Sequence, residues 1–328
     1  MDERGESQRQ WLGQDLVLKM NPTDLHIKSN EPEKSLVFPG PRLIEASEMP
    51  MALSILEKAI GISRDDFMVD VGGSFWRGRR DKQAVDGMWL RMRRMADAAH
   101  GLDELPSPLP APIKNVLMSP HLTRGGLVHI AGGPGCGKTT TGSGVIVSRL
   151  RKYGGVAYTV EDPPELPLNG FHGEGYCTQT WVAGDEAADW MEAMRGALRS
   201  QPARTNLMMY VGEVRDVETA RAMLRAASNG FLVVSTGFGG SIVSGLDTFF
   251  QLVGRDYAMT LSSVLRLVLY TKIVDGRFSA QALVSESPSS PVGAIIRSGQ
   301  LAQLQNEVQY QTNQMIAGQE FWTAPMER

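Results

Sequence analysis

Residues 49–60 carry apolar side chains at helical intervals, and the short apolar runs 67–71 and 88–92 read as strands, which together predict a small α+β unit. The polar stretch between those strands, with Arg77, Arg79 and Arg80, reads as a turn. From residue 127 the pattern changes. Apolar β-type runs at 127–131, 156–160, 207–211 and 231–236 alternate with helical patterns at 140–151, 185–200 and 215–228. Such alternation predicts an α/β domain built on a parallel sheet with helices on both faces. Asp275 and Gly276 separate the apolar runs 267–274 and 278–284, and Asp-Gly is a preferred two-residue hairpin turn. Residues 294–316 keep helical spacing except at Ser298, Gly299 and Gln300, so two helices with a break are expected. Between the two patterns, residues 105–113 read LPSPLPAPI. Pro106, Pro108, Pro110 and Pro112 suppress helix and donate no ladder hydrogen bonds, so this stretch is expected to link an N-terminal domain, 1–104, to a second domain, 114–328.

Composition narrows the class. With 42% hydrophobic and 21% charged residues over 328 positions, the chain is globular and long enough for two domains. The net charge of −3 gives no global drive toward nucleic acid or acidic lipid. Cys136 and Cys177 are the two cysteines, without zinc-ligand spacing, which is cytosolic usage. The first residues are polar and acidic and lack the basic-then-apolar order of a signal peptide, so a cytoplasmic location is expected. The uncharged run between Arg225 and Asp247 contains Ser228, Asn229, Ser235, Thr236 and several glycines, and reads as a buried strand with a Gly-rich loop rather than a membrane span.

The chemistry concentrates in residues 131–141, AGGPGCGKTTT, where Gly132, Gly137, Lys138 and Thr139 complete the pattern G-x-x-x-x-G-K-[ST]. Gly132, Gly133, Gly135 and Gly137 lack the Cβ atoms that would block close approach. With Pro134 and Cys136 they form a loop whose N–H groups can wrap a β-phosphate. Lys138 supplies a point charge for the β/γ oxygens and Thr139 a hydroxyl for Mg²⁺, while Thr140 carries the loop into a helix whose N-terminus favours anions. A nucleoside triphosphate with Mg²⁺ is the expected ligand.

Hydrolysis needs a carboxylate near the phosphates that orients or activates water. Glu213 is the candidate, because it follows the strand 207–211 and Gly212 and would emerge at the carboxyl end of the sheet. A solvent-facing glutamate opening the next helix fits the same pattern. Glu161, Asp162 and Glu165 follow the run 156–160 around Pro163 and Pro164. These carboxylates suit either a solvated acidic turn or a site in which Glu161 assists catalysis and Asp162 helps to hold Mg²⁺ through its waters.

Four blocks in this order, AGGPGCGKTT, TVEDPPE at 159–165, YVGEVRD at 210–216 and GFLVVST at 230–236, resemble the secretion ATPase superfamily. That superfamily comprises type IV pilus retraction ATPases, type II secretion ATPases and the ATPases of type IV secretion and conjugation systems. Its members carry these blocks as the Walker A loop, the Asp box, an atypical Walker B ending in Gly-Glu, and the His box. The likeness extends to Asp24, Leu25, His26 and Ile27, similar to the strand that opens the family's N-terminal domain. Residues 87–93 resemble the strand whose arginines reach a neighbouring subunit's nucleotide, and residues 194–199 the arginine-bearing helix before Walker B.

The resemblance implies a RecA-like P-loop domain preceded by a PAS-like α+β domain, ATP and Mg²⁺ as cofactors, and a homo-oligomeric, hexameric ring. Its partners would be inner-membrane platform or secretion-channel proteins, with the ring peripheral at the cytoplasmic face. It further implies that Arg77, Arg91 and Arg195 bind nucleotide as charge-stabilising fingers, although each reads equally well as a surface charge. Three departures stand out. Phe238 occupies the position of the His-box histidine, Phe231 that of a second histidine, and residues 291–298 only partly match the helix characteristic of pilus retraction motors; the tetracysteine motif of assembly-type ATPases is absent as well. A phenyl ring makes no conventional hydrogen bond to a γ-phosphate. The expected function is therefore an ATP-hydrolysing motor of a retraction-type or conjugation-type machine, and the alternative is a nucleotide-binding regulatory ring subunit with weak hydrolysis. A DNA-translocating ATPase is a third reading, but residues 237–244 hold no Lys or Arg, so direct nucleic-acid binding is not expected.

Overall fold

The computed structural model describes residues 23–182, 187–275 and 277–322. The first two residues of the expected helix 185–200, and Gly276 of the expected hairpin, lie outside them. The chain forms two compact units that divide between Asp97 and Ala98.

In the first unit, β1 (Asp24–Lys28), β2 (Leu36–Phe38), β3 (Arg42–Leu43), α1 (Met49–Ile60), β4 (Asp66–Val71), β5 (Ser74–Asp81) and β6 (Trp89–Arg94) follow in sequence. The strands form one antiparallel sheet in the order β3-β2-β1-β6-β5-β4. Alternation along them sends Leu25, Ile27, Phe67, Val69, Trp76, Leu90 and Met92 onto Ala52, Ile55 and Ala59 of α1. The intervening residues Asp24, His26, Arg77, Arg79, Arg91 and Arg93 therefore share the opposite face. The expected turn at Arg77, Arg79 and Arg80 is in fact β5. Gly78 takes an inward position there, and a Cβ on it would lie 2.1 Å from Met92 Sδ. That gap interrupts the apolar alternation and makes a strand read as a polar turn.

The second unit contains α2 (Ala111–Leu117), β7 (Gly126–Ala131), α3 (Lys138–Tyr153), β8 (Gly155–Glu161), β9 (Gly170–His172), β10 (Gly175–Trp181) and α4 (Ala187–Arg199). It continues with β11 (Leu207–Val211), α5 (Val217–Ser228), β12 (Leu232–Gly237), α6 (Ile242–Val253), α7 (Ala258–Val264), β13 (Leu265–Val274), β14 (Arg277–Val284), α8 (Pro291–Ser298) and α9 (Leu304–Ile316). The sheet runs β14-β13-β7-β12-β11-β8-β10-β9. Its six inner strands are parallel and its two edges antiparallel, so it is mixed rather than wholly parallel. The β13/β14 hairpin follows the expected register, with Val274 opposite Arg277.

Strand periodicity divides the interior into two cores. Met208, Tyr210, Leu232 and Val234 pack with Val145, Ile146 and Leu150 of α3 on one face, while Met209, Val211 and Val233 pack with α5 and α6 on the other. The proline-rich stretch belongs to this unit, because Leu109 and Ile113 are buried beside Leu117 and Leu122. Its end also becomes helical: Pro110 is the N-cap of α2 and Pro112 lies in the first turn, where a missing N–H costs nothing. Among the described residues no helix is long and apolar enough to cross a membrane.

Candidate nucleotide-binding site

Parallel pairing aligns the carboxyl ends of four strands. Ala131 lies opposite Gly237, Val211 opposite both Ser235 and Val160, and Glu161 closes β8. Everything that leaves these ends converges at the carboxyl end of the sheet, where open α/β folds bind ligands. The loop 132–137 leaves β7 there and enters α3 through Gly137, whose φ of +85° a side chain would resist. Lys138 curls back over the loop. Its ammonium donates to Gly132 O at 3.1 Å and Gly133 O at 2.7 Å, and it lies 5.0 Å from the centroid of the Phe238 ring. Cys136 is buried with Sγ 3.4 Å from Thr271 Oγ1, so it packs the loop against β13.

These residues fit a polyphosphate. The loop turns through glycines at positive φ, the space beside Gly133 and Gly135 is open, and the lysine is held only by neutral carbonyls and an aromatic face. A phosphate oxygen with full negative charge is a stronger partner than any of these. Thr139 and Thr140, at the start of α3, are partly buried.

The carboxylates differ in setting. Glu161 is 2% exposed, and burial pushes its carboxyl up to about 7 against the opposing hydrogen bond from Gln179 Nε2 at 2.9 Å. Gln179 is held in turn by Leu166 O at 2.8 Å and by the Leu168 N–H at 3.1 Å. Gly212 makes room for this side chain, since a Cβ there would meet Glu161 Cγ at 3.2 Å. Asp162 Oδ1 accepts from Trp181 Nε1 at 3.0 Å. Glu213 is partly exposed and receives the Arg215 Nε–H at 2.6 Å. The segment carrying it is pinned to β12, because Thr236 Oγ1 donates to Gly212 O and Val214 N donates to Thr236 O at 3.1 Å.

Among the expected arginines, Arg195 is exposed on α4, while Arg77 and Arg91 belong to the first unit. Arg91 is held by Asp81 Oδ2 at 2.8 Å and lies 3.3 Å from His26 Nδ1. Arg79 and Arg93 pair with Asp66 and Asp24, which leaves Arg77 as the arginine of this face without an ion pair among the described residues. Phe238 stands 51% exposed over the loop lysine, whereas Phe231 is fully buried. Three residues were given no role by the sequence: Gln179, which fixes Glu161 and lies outside the motif blocks, and within them Thr236, which fixes the Glu213 segment, and Tyr210, on the α3 side of β11. The period-2 placement of 157, 159 and 161 on β8, and of 208 and 210 on β11, is the signal that would have put Glu161 and Tyr210 on one face.

Comparison with known proteins adds a lineage to this geometry. The family described as "Type II/IV secretion system protein" matches residues 90–312. The type IV pilus retraction ATPase PilT of Pseudomonas aeruginosa is 32% identical over 195 residues, 56% of this chain and 53% of that protein. The type II secretion system protein E of Xanthomonas campestris is 30% identical over 161 residues, 49% of this chain and 25% of its own length. The chain thus spans between a quarter and about half of the curated relatives it matches first. Two solved structures share the fold. The pilus retraction motor PilT with bound ADP gives a TM-score of 0.69 at 21% identity, covering 92% of this chain and 88% of that one. The Legionella pneumophila ATPase DotB gives 0.64 at 20% identity, covering 93% and 86%.

Proposed function

The chain belongs to the type II/IV secretion system protein family, an ATPase family with a RecA-like domain, and from that premise we propose that it is the ATP-hydrolysing subunit of a ring-shaped motor in a secretion or pilus machine. The observation that carries the reading is the convergence of the loop 132–137, Lys138, Glu161 and Glu213 at the carboxyl end of the sheet. In this reading the loop N–H groups and Lys138 bind the β- and γ-phosphates of ATP. Thr139, with Asp162 through water, would hold Mg²⁺, which supplies charge neutralisation on the phosphates. Glu213, freed from Arg215, orients or activates the attacking water, and Glu161 behind it holds a proton near neutral pH.

Arg77, with Arg91 and Arg195 as further candidates, would meet the phosphates of a neighbouring subunit in a hexamer. Arg77 supports this, since its guanidinium has no ion pair among the described residues, whereas Arg79, Arg91 and Arg93 beside it are paired with Asp66, Asp81 and Asp24. The machine's membrane platform or channel proteins would be the partners, with the ring peripheral at the cytoplasmic face of the membrane. The proline-rich stretch ahead of α2 is the candidate hinge for domain motion.

One observation favours a second reading. Phe238 covers Lys138 where a histidine would sense the γ-phosphate, which suits a regulatory ring subunit that binds nucleotide and turns it over slowly. Two variants test the site. Lys138→Ala is expected to lose both nucleotide binding and turnover. Glu213→Gln is expected to bind as the wild type does and to lose turnover by about a hundredfold, the usual scale for a general base. Full turnover by Glu213→Gln would remove Glu213 from the mechanism.

A further inference from the structure

Two hydroxyls buried between α3 and β11 have no hydrogen-bond partner among the described residues. Tyr210 is fully buried on the α3 side of β11, and its ring presses against α3 where Gly142 leaves the room. A Cβ on Gly142 would lie 2.7 Å from Tyr210 Cε2 and 3.4 Å from its hydroxyl oxygen. The phenol group therefore reaches the hydroxyls of Thr139 and Ser143, which stand one turn apart on the helix. Neither Tyr210 Oη nor Ser143 Oγ completes a hydrogen bond, although both are buried. Such orphans are unfavourable unless another state of the protein uses them.

Thr139 supplies that other state. A threonine that turns its oxygen lone pairs to Mg²⁺ still has a hydroxyl hydrogen to give away, and on the β11 side Tyr210 offers an acceptor. P-loop enzymes commonly place a Walker B aspartate near the metal. Here the strand end carries Val211 and Gly212 ahead of Glu213, and no aspartate. Tyr210 Oη is the oxygen in reach.

Building on the nucleotide-site reading above, we propose that Tyr210 is a positioning residue for the Mg²⁺-nucleotide. Its hydroxyl oxygen accepts the hydrogen of Thr139, its own hydrogen goes to Ser143 Oγ, and Thr139 is thereby held with its lone pairs toward the metal. No proton changes owner. Burial pushes the phenol well above its ordinary value, so it stays a neutral donor and acceptor throughout.

The test follows binding of a fluorescent ADP analogue to the full chain while Mg²⁺ is titrated. Tyr210→Phe keeps the ring in its notch, so the melting temperature without nucleotide is expected to hold or rise, and affinity in EDTA is expected to match the wild type. The Mg²⁺ midpoint is expected to rise about tenfold, the usual effect of one hydrogen bond next to a charge. In a Thr139→Ala background the same substitution should add nothing, and that comparison decides the matter even if Tyr210→Phe lowers stability. An unchanged Mg²⁺ midpoint in Tyr210→Phe, or an equal further shift in the Thr139→Ala background, would overturn the role of Tyr210 and leave the nucleotide site intact. Failure of the wild-type chain to bind the analogue at all would overturn the nucleotide reading itself.

Discussion

Glu161 shows how strongly setting governs a side chain. Surrounded by β8, Gly212 and Gln179, it titrates near 7, so the folded chain holds its proton more tightly than the unfolded chain, whose glutamates titrate near 4.5. The contribution to stability is present below the unfolded value and is lost as pH rises through the folded one. The wild-type melting temperature, measured without nucleotide, should therefore fall between about pH 4.5 and about pH 7, and Glu161→Gln should flatten that fall. Equal slopes in both proteins would contradict the assignment. Sequence spacing made Glu161 and Glu213 legible as strand-end carboxylates, because each follows an apolar run. It did not reveal their difference in burial, which arises from Gln179 on β10, a strand whose mixed pattern of Tyr176, Cys177, Thr178 and Gln179 gave no clear signal. His129 escaped for a similar reason: it sits within an apolar strand, bonded to Ser235 Oγ at 3.0 Å, and burial lowers its ring to about 4, so it stays neutral.

At the scale of elements, caps and glycines set the positions that the motifs require. Asp216 accepts from Thr219 N and Thr219 Oγ1, both at 2.7 Å, and so starts α5 three residues after Glu213. Asp216→Ala is expected to cost about 1 kcal/mol, the usual value of an N-cap. A denaturant midpoint unchanged from the wild type would show that the cap contributes nothing. Helices α3, α4 and α5 and the central strands of the second unit were legible because their apolar periods are long and clean, and β11 falls on the predicted residues 207–211, whereas α6 and α7, which follow the Gly-rich loop, were not foreseen. Short or interrupted elements were not. β9 has three residues, Gly78 breaks the pattern of β5, and the prolines of 105–113 conceal a helix that begins where proline is tolerated.

At the scale of the whole molecule, one unit presents an arginine-rich sheet face and the other a phosphate loop. Each is incomplete for hydrolysis in a different way: the loop carries no arginine, and the arginine face carries no phosphate-binding loop. In the ring proposed above, these parts would come from different subunits. The change of pattern near residue 105 led to an expected boundary at 104, whereas the compact units divide at Asp97, because Leu102 and Leu109 pack into the second core. The measurement that tests the central claim most directly is steady-state release of inorganic phosphate from ATP by the purified chain, beside Lys138→Ala. Mg²⁺-dependent release by the wild type, absent in the variant and rising more than linearly with protein concentration as subunits associate, is the expected result. Nucleotide bound by the wild type with phosphate release no greater than that of Lys138→Ala would contradict the motor and leave a regulatory subunit in its place.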